Sequence, residues 1–321
     1  MSDDLANWAA TRADELIARA EAAAVAELKA ALLAAVSARQ TAPPPAPRAP
    51  RESVSAPRAR DGTLVWAYFV TRASEWEPVR IHGLDGQPVE RIERAGLAAA
   101  VSPVPADEYG EERLHESLND LTWLERAARA HEVVLERAGE QTTIVPLRLC
   151  TIFNDDAAVA HMLETNAASF VEALERLAGR QEWSVKLLVD RERLEAAGAA
   201  GDDPVGDVAS GTAYLLGRRA ERERRAAAEQ LGRELAENVH ARLQDWAIDA
   251  VVNPPQSREL SGHIGEMLLN GAYLVEAARA GELRALASEL EDRHQAVGAR
   301  IEVTGPLPPF NFVPQQRAAG S

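Results

Sequence analysis

The apolar and polar positions of this chain change period along its length, and each change marks an element. Residues 2 to about 39 hold Ala, Glu, Arg and Leu with no Gly or Pro, a composition that favours helix. Val25, Leu28, Leu32 and Val36 recur at helical spacing, with Leu5, Trp8 and Leu16 further up. The stripe is narrow and diluted by alanine. It fits either a helix resting on the body or an arm for a partner or for self-association. Residues 41 to about 60, TAPPPAPRAPRESVSAPRAR, then read as a linker, because repeated proline favours extended polyproline II and blocks helix.

From Thr63 the pattern changes to strands. TLVWAYFVTR is aromatic and β-branched, the signature of a buried strand. A Gly-Leu-Asp-Gly turn at 83–86 precedes a strand near Val89–Arg94. A turn at Gly96 and a strand near Leu97–Val101 follow, with Pro103 and Pro105 expected to stop the run. A helix is predicted from about Glu111 to Ala138, with Leu114, Leu118, Leu121, Leu124, Ala128, His131 and Leu135 on one face. The stretch Thr142–Phe153, TTIVPLRLCTIF, reads as one or two buried strands bent at Pro146. Arg148 is its only charge, and a buried or half-buried arginine there needs a carboxylate or carbonyl partner. Asn154, Asp155 and Asp156 start a helix that runs to about Ala178 and ends at Gly179.

The second half begins with a strand at Glu182–Asp190, and 195–211 reads as a Gly/Ala/Asp-rich surface loop. A long helix is predicted from about Thr212 to Asp245, carrying Leu231, Leu235, Val239 and Leu243. Strands are expected at Trp246–Val252 and Met267–Val275, a helix at Gly281–Val297 and a last strand at Ala299–Thr304. The order strand, helix, strand, strand, helix, strand is the split βαβ, or ferredoxin-like, arrangement. Such a sheet buries one face under its two helices, so the other needs cover from the first domain, the tail or a partner. The tail GPLPPFNFV closes the chain, with Phe310, Phe312 and Val313 needing cover.

The predicted fold class is therefore α+β with two domains. An N-terminal helical arm (1–40) and a Pro-rich linker (41–62) lead to an α+β domain (63–180). A ferredoxin-like domain (181–305) and a Pro/Phe tail (306–321) follow. A length of 321 residues with 46% apolar content supplies two cores.

Charge narrows the function. The net charge is −15, and the first 60 residues hold eight basic and seven acidic side chains, which leaves −16 for the body. Such a surface repels nucleic-acid phosphates and anionic lipid. No apolar run reaches the ~20 residues that span a bilayer, and MSDDLANW is not a secretory signal. These features predict a soluble, cytoplasmic protein. Cys150 is the single cysteine, so it forms no internal disulfide, and its apolar setting suits a small buried hydrophobe. His131 and Glu132 begin a zinc-helix pattern, but position 135 is leucine, so that motif fails. His131 instead reads as a hydrogen-bonded packing residue. The chain has no phosphate-cradling loop, dinucleotide fingerprint or nucleophile elbow, so no catalytic, cofactor or metal residues are assigned.

The segments LVWAYFV, HGLDGQPV, GLAAAVSPV, WLERAARAHEVVL, IVPLRLCTIF, EWSVKLLVD, LNGAYLV and VTGPLPPFNFV, in that order, resemble the gas vesicle protein F/L family. The resemblance covers about residues 63–313. It implies an α+β first domain, a modified ferredoxin-like second domain and a non-enzymatic accessory role. The process is assembly of gas vesicles, protein-walled compartments that give buoyancy. The implied partners are the hydrophobic major shell protein and other accessory proteins, with no cofactor. Against the family pattern, Cys150 replaces a glycine, Leu307 a tryptophan, and Phe310-Asn311 a Tyr-Ser pair. The partner-contact candidates are Pro306, Pro308, Pro309, Phe310, Phe312, Val313 and Arg148. RNA binding on the second sheet, or a small-molecule sensor or enzyme using an interdomain pocket, are the alternatives from other classes.

Overall fold

The computed structural model describes residues 62–77, 81–198, 210–255 and 265–313, with the backbone alone for 210–217. The expected arm (1–40) and nearly all of the expected linker lie outside these residues. The protein is a mixed α+β chain with two sheets. It divides into two compact units, one of residues 1–179 with 308–321, the other of residues 180–307.

In the first unit, β1 (Thr63–Arg72), β2 (Glu90–Arg94), β3 (Leu97–Pro105) and β4 (Val145–Pro146) form a sheet of order β2-β3-β1-β4, and β5 (Ile152–Phe153) also pairs with β1. All pairings are antiparallel. The two-residue turn between β2 and β3 holds Ala95 at φ 53° and Gly96 at φ 75°, a left-handed pair whose twist suits a tight hairpin. Pro103 and Pro105 do not stop β3, because they pair with Val65 and Thr63 of β1. The β2 partner ends opposite Val101, so beyond it β3 has a free side where a missing N–H breaks no ladder bond.

The helix expected over 111–138 is in fact two, α2 (Glu111–Ser117) and α3 (Leu121–Gly139), preceded by the single turn α1 (Ala106–Tyr109). Asp120 caps α3, its carboxylate accepting from Thr122 and Trp123 N–H at 2.9 and 3.3 Å. The break resets the helical register, so Leu121 is 57% exposed while Leu124, His131 and Leu135 are buried. The core on this face joins Trp66, Tyr68, Tyr109, Leu124, Val134 and Leu135. The next predicted helix is also two, α4 (Asp156–Thr165) and α5 (Ala167–Leu177), divided at Asn166. Asp155 caps α4 through Ala158 N–H at 2.8 Å. Helix α4 packs on β2 and β3, and α5 on β1 and β4.

In the second unit, β6 (Arg180–Val189), β7 (Asp249–Asn253), β8 (Glu266–Glu276) and β9 (Arg300–Leu307) form an antiparallel sheet of order β7-β8-β6-β9. Helix α6 (Arg191–Gly198) occupies the start of the expected 195–211 loop, whose remainder to 209 is outside the described residues. Helix α7 (Ser210–Trp246) takes in Trp246, which ends the helix rather than starting a strand. Helix α8 (Ala280–Arg293) stops short of Val297, and a 3-10 turn covers Gln295–Val297. One sheet face carries Trp183, Val185, Leu187, Leu269 and Tyr273, packed with Leu235, Val239, Leu283 and Leu290 of α7 and α8. On the other face Glu182, Leu188, Ala272 and Leu274 are buried too, so its centre is not open to solvent.

Candidate partner-binding segments

Arg148 sits on the turn between β4 and β5, and the backbone around it is fixed from three sides. Leu147 N–H donates to Tyr68 O at 2.8 Å. The carbonyl of Leu147 faces His131 Nε2 at 3.0 Å, and Trp66 Nε1–H donates to His131 Nδ1 at 3.1 Å. Because Nδ1 accepts, the proton of the neutral ring lies on Nε2 and is donated to Leu147 O. Full burial pushes the His131 pKa down to about 4, partly opposed by the Leu147 carbonyl. Both ring nitrogens are thus engaged and the ring is neutral at pH 7. His131 is the packing residue the sequence indicates, and it offers no free lone pair to a substrate.

The turn itself closes when Thr151 N–H and Oγ1–H donate to Arg148 O at 3.1 and 2.7 Å. Cys150 occupies φ 62°, a left-handed conformation that costs a residue with a Cβ about 1–2 kcal/mol. The residue before the turn is locked in the core, yet Arg148 is exposed. The expectation of a buried or half-buried arginine is therefore corrected. The turn lifts its side chain out of the sheet, while Leu147 and Leu149 on either side point inward and are buried.

A second polar cluster holds the 83–86 turn against the same core. Tyr68 Oη accepts from Leu84 N–H at 2.9 Å, and Tyr109 Oη–H donates to Asp85, which Arg126 approaches at 3.6 Å. A Cβ on Gly83 would fall 2.0 Å from Tyr68 Oη, so only glycine fits. Burial raises the Tyr68 and Tyr109 pKa values, and both phenols stay protonated. Sequence reading missed this cluster. The Gly-Leu-Asp-Gly turn was its visible signal, but the tyrosines that receive it lie 16 and 24 residues away.

The tail begins at a steric constraint. Strand β9 runs two residues past Gly305 to Leu307. The register with β6 slips there, since Ser184 pairs with Thr304 but Glu182 with Leu307. Gly305 lies over the Trp183 ring, where a Cβ would be 2.6 Å from ring atom Cδ2. The Arg284 guanidinium sits 4.6 Å from the same ring's centroid. Pro306 is exposed, and Pro308 and Pro309 are half-buried. A 3-10 turn follows at Phe310–Phe312, with Phe310 N–H donating to Pro308 O at 2.8 Å and Phe312 N–H to Pro309 O at 3.2 Å. This turn separates the two phenylalanines: Phe312 is 2% exposed and Phe310 is 42% exposed. Val313 is half-buried. From Pro308 the tail clusters with the unit that carries Arg148.

Chemically, these segments present one apolar ring and one cation on well-held backbone. Among the described residues no group of three or more His, Cys, Asp and Glu side chains could hold a metal, and no helix is long and apolar enough to cross a membrane. Cys150 is buried and forms no disulfide.

Comparison with known proteins is consistent along the body of the chain. Residues 62–314 match the family model described as gas vesicle synthesis protein GvpL/GvpF. Gas vesicle protein L of Streptomyces sp. (strain CB03234) is 37% identical over 252 residues, 78% of this chain and 92% of that protein. Gas vesicle protein F of the same strain is 30% identical, over 77% of this chain and 98% of that protein. The fold is similar to the crystal structure of GvpF from Anabaena sp. PCC7120, with a TM-score of 0.59 at 21% identity over 79% and 97% of the two chains. GvpF from Microcystis aeruginosa superposes with a TM-score of 0.56 at 18% identity, over 78% and 98%. The family model and the Streptomyces relatives together place this chain in the GvpL/GvpF family of gas vesicle proteins.

Proposed function

We propose that this chain is a non-enzymatic accessory protein of gas vesicle assembly. It binds the hydrophobic major shell protein, and other accessory proteins, during vesicle nucleation. The observation that carries the reading is Phe310, held 42% exposed on a turn whose other ring, Phe312, is buried. An aromatic side chain presented on ordered backbone binds apolar surface with little further loss of entropy. Pro306, Pro308 and Pro309 stiffen its approach, Val313 flanks it, and Arg148 adds a cationic contact. A shell subunit rich in apolar surface aggregates when free in water, and a strongly acidic partner covering that surface keeps the complex soluble. The protein works in the cytoplasm, associated with gas vesicles, and takes no nucleic acid or membrane as partner.

The same reading treats residues 63–180 and 181–305 as two domains and the second as ferredoxin-like. Its support is the antiparallel order β7-β8-β6-β9 with helices between the first and second and between the third and fourth strands.

A pull-down of the major shell protein tests the proposal, using the wild-type chain, Phe310→Ala and Arg148→Glu. Both changes are at exposed positions and leave the fold intact. Capture by the wild type that falls about tenfold in Phe310→Ala, a loss of about 1.4 kcal/mol, supports the tail as the contact. Equal capture by all three removes the tail and the turn from the reading. No capture by any of them ends the shell-protein proposal.

A further inference from the structure

Helix α7 is longer than the sheet it covers. Its 37 residues extend about 55 Å at 1.5 Å per residue, while the 11 residues of β8 span about 36 Å. Helix α6 packs beside α7 only as far as Gly198, whose Cβ would lie 3.0 Å from Ala228 N. Before Ala228 the described residues of α7 are exposed, apart from the half-buried Ala220 and Ala227. A single helical segment without a packed face is marginal in water. Here it is supported along its own length by Arg219–Glu223 at 2.8 Å and Arg225–Glu221 at 2.5 Å.

This overhang has the opposite sign to the protein. Residues 218–225 carry five arginines against two glutamates, on a chain of net charge −15. Immediately after it, α7 forms one wall of a groove of about 430 Å³ with α6 and the start of β8. The floor is apolar: Leu194, Ala228, Gly232, Ala236 and Leu268. The rim holds four glutamates (195, 229, 237 and 266) against Arg191 and Arg233. Leu194, Ala228 and Gly232 are buried at the bottom of the groove. A Cβ on Gly232 would already touch Leu194 and Leu268 at 3.4 and 3.5 Å, so a partner meets chiefly the half-buried Ala236 and Leu268 and the charged rim.

Arm and groove lie on one face of one helix. Arg218, Arg222, Arg225, Glu229, Gly232 and Ala236 follow one another at spacings of four, three, four, three and four, the repeat of a helix-pairing seam. Antiparallel pairing of two such helices about a two-fold axis at the level of Ala227 sets Arg225 opposite Glu229, Arg222 over Gly232, and Arg218 beside Ala236 and Glu237. Each copy's arm then meets the other's groove, so both contacts form at once and the assembly closes at two. We infer that α7 is a self-association surface, through which a second copy of this chain docks its basic arm in the acid-rimmed groove. Exposed ion pairs add little affinity singly. They set the register, while the arginine stems and the half-buried Ala236 and Leu268 supply buried area.

Sedimentation velocity of the full-length chain over a concentration series tests this independently of any shell-protein binding. The variants are Arg218→Glu/Arg222→Glu/Arg225→Glu, which reverses the arm, and Glu229→Arg/Glu237→Arg, which reverses the groove. Circular dichroism confirms that both keep the wild-type helix content. The expected result is a concentration-dependent wild-type dimer whose Kd rises about tenfold or more in each variant alone. A one-to-one mixture of the two variants restores dimers, because each reversed arm then faces a reversed groove and each native arm a native one. A wild-type chain that stays monomeric, a dimer unaffected by either reversal, or a mixture no tighter than its components would each overturn the inference.

Discussion

Trp66 donates its indole hydrogen to Nδ1 of His131 across 3.1 Å of buried space, from the first strand of the sheet to the helix that covers it. The far side of the imidazole donates to Leu147 O, so one neutral ring links β1, α3 and the turn that presents Arg148. Protonating Nδ1 removes its lone pair and breaks the bond from Trp66.

That relationship sets a pH dependence. The His131 pKa is lowered by burial to about 4 in the folded chain, against about 6.5 in the unfolded one. Between these values the unfolded state binds the extra proton. The contribution is therefore complete above pH ~6.5 and is lost as pH falls toward ~4, amounting to about 3 kcal/mol. Urea unfolding from pH 7 to 4 measures it. His131→Gln is less stable at pH 7 by about 1–3 kcal/mol and lacks this segment of the pH curve. An unchanged slope in the variant would show that His131 is not its source.

Gly305 and Trp183 form a second pair that admits no added atom. A methyl group at 305 would fall 2.6 Å from the indole, so Gly305→Ala is expected to destabilise by about 1–3 kcal/mol through overpacking. In a Trp183→Val background the ring is gone and the same change costs less, the remainder being the backbone cost of alanine at φ 156°. A double-mutant cycle reads this coupling, and additive costs would count against the contact.

Ala95 is exposed at φ 53° in the turn joining β2 and β3. Asparagine tolerates this conformation better than alanine. Ala95→Asn should raise stability by about 0.5–1 kcal/mol, seen as a higher thermal midpoint with the same folded spectrum. A lower midpoint would refute the hairpin reading.

Cys150 is buried at φ 62°. Cys150→Ala keeps the left-handed strain and loses the sulfur, whereas Cys150→Gly loses both. The glycine variant is therefore expected to be the more stable of the two by about 1 kcal/mol. Denaturant midpoints of the two variants decide it, and the reverse order would place the strain elsewhere.

Periodicity alone determined most elements of this protein. TLVWAYFVTR could only be a buried strand, and Leu235, Val239 and Leu243 only a helix face, because side-chain direction follows backbone period. The order of segments carried the family, and the mixed α+β class was legible from the same pattern. Side-chain fate was less legible, because it depends on what each position meets. Leu121 belongs to the apolar stripe by spacing, yet the cap at Asp120 turns it to solvent. Arg148 lies in an apolar run, yet the turn closed by Thr151 carries it outward. Pro103 and Pro105 look like breakers, yet the end of β2 leaves them a free strand edge. The two tail phenylalanines are equivalent by composition, and the 3-10 turn at Pro309 separates a buried ring from an exposed one. Local pattern reports the period of the backbone; burial depends on neighbours distant in sequence, and only the tertiary structure supplies them.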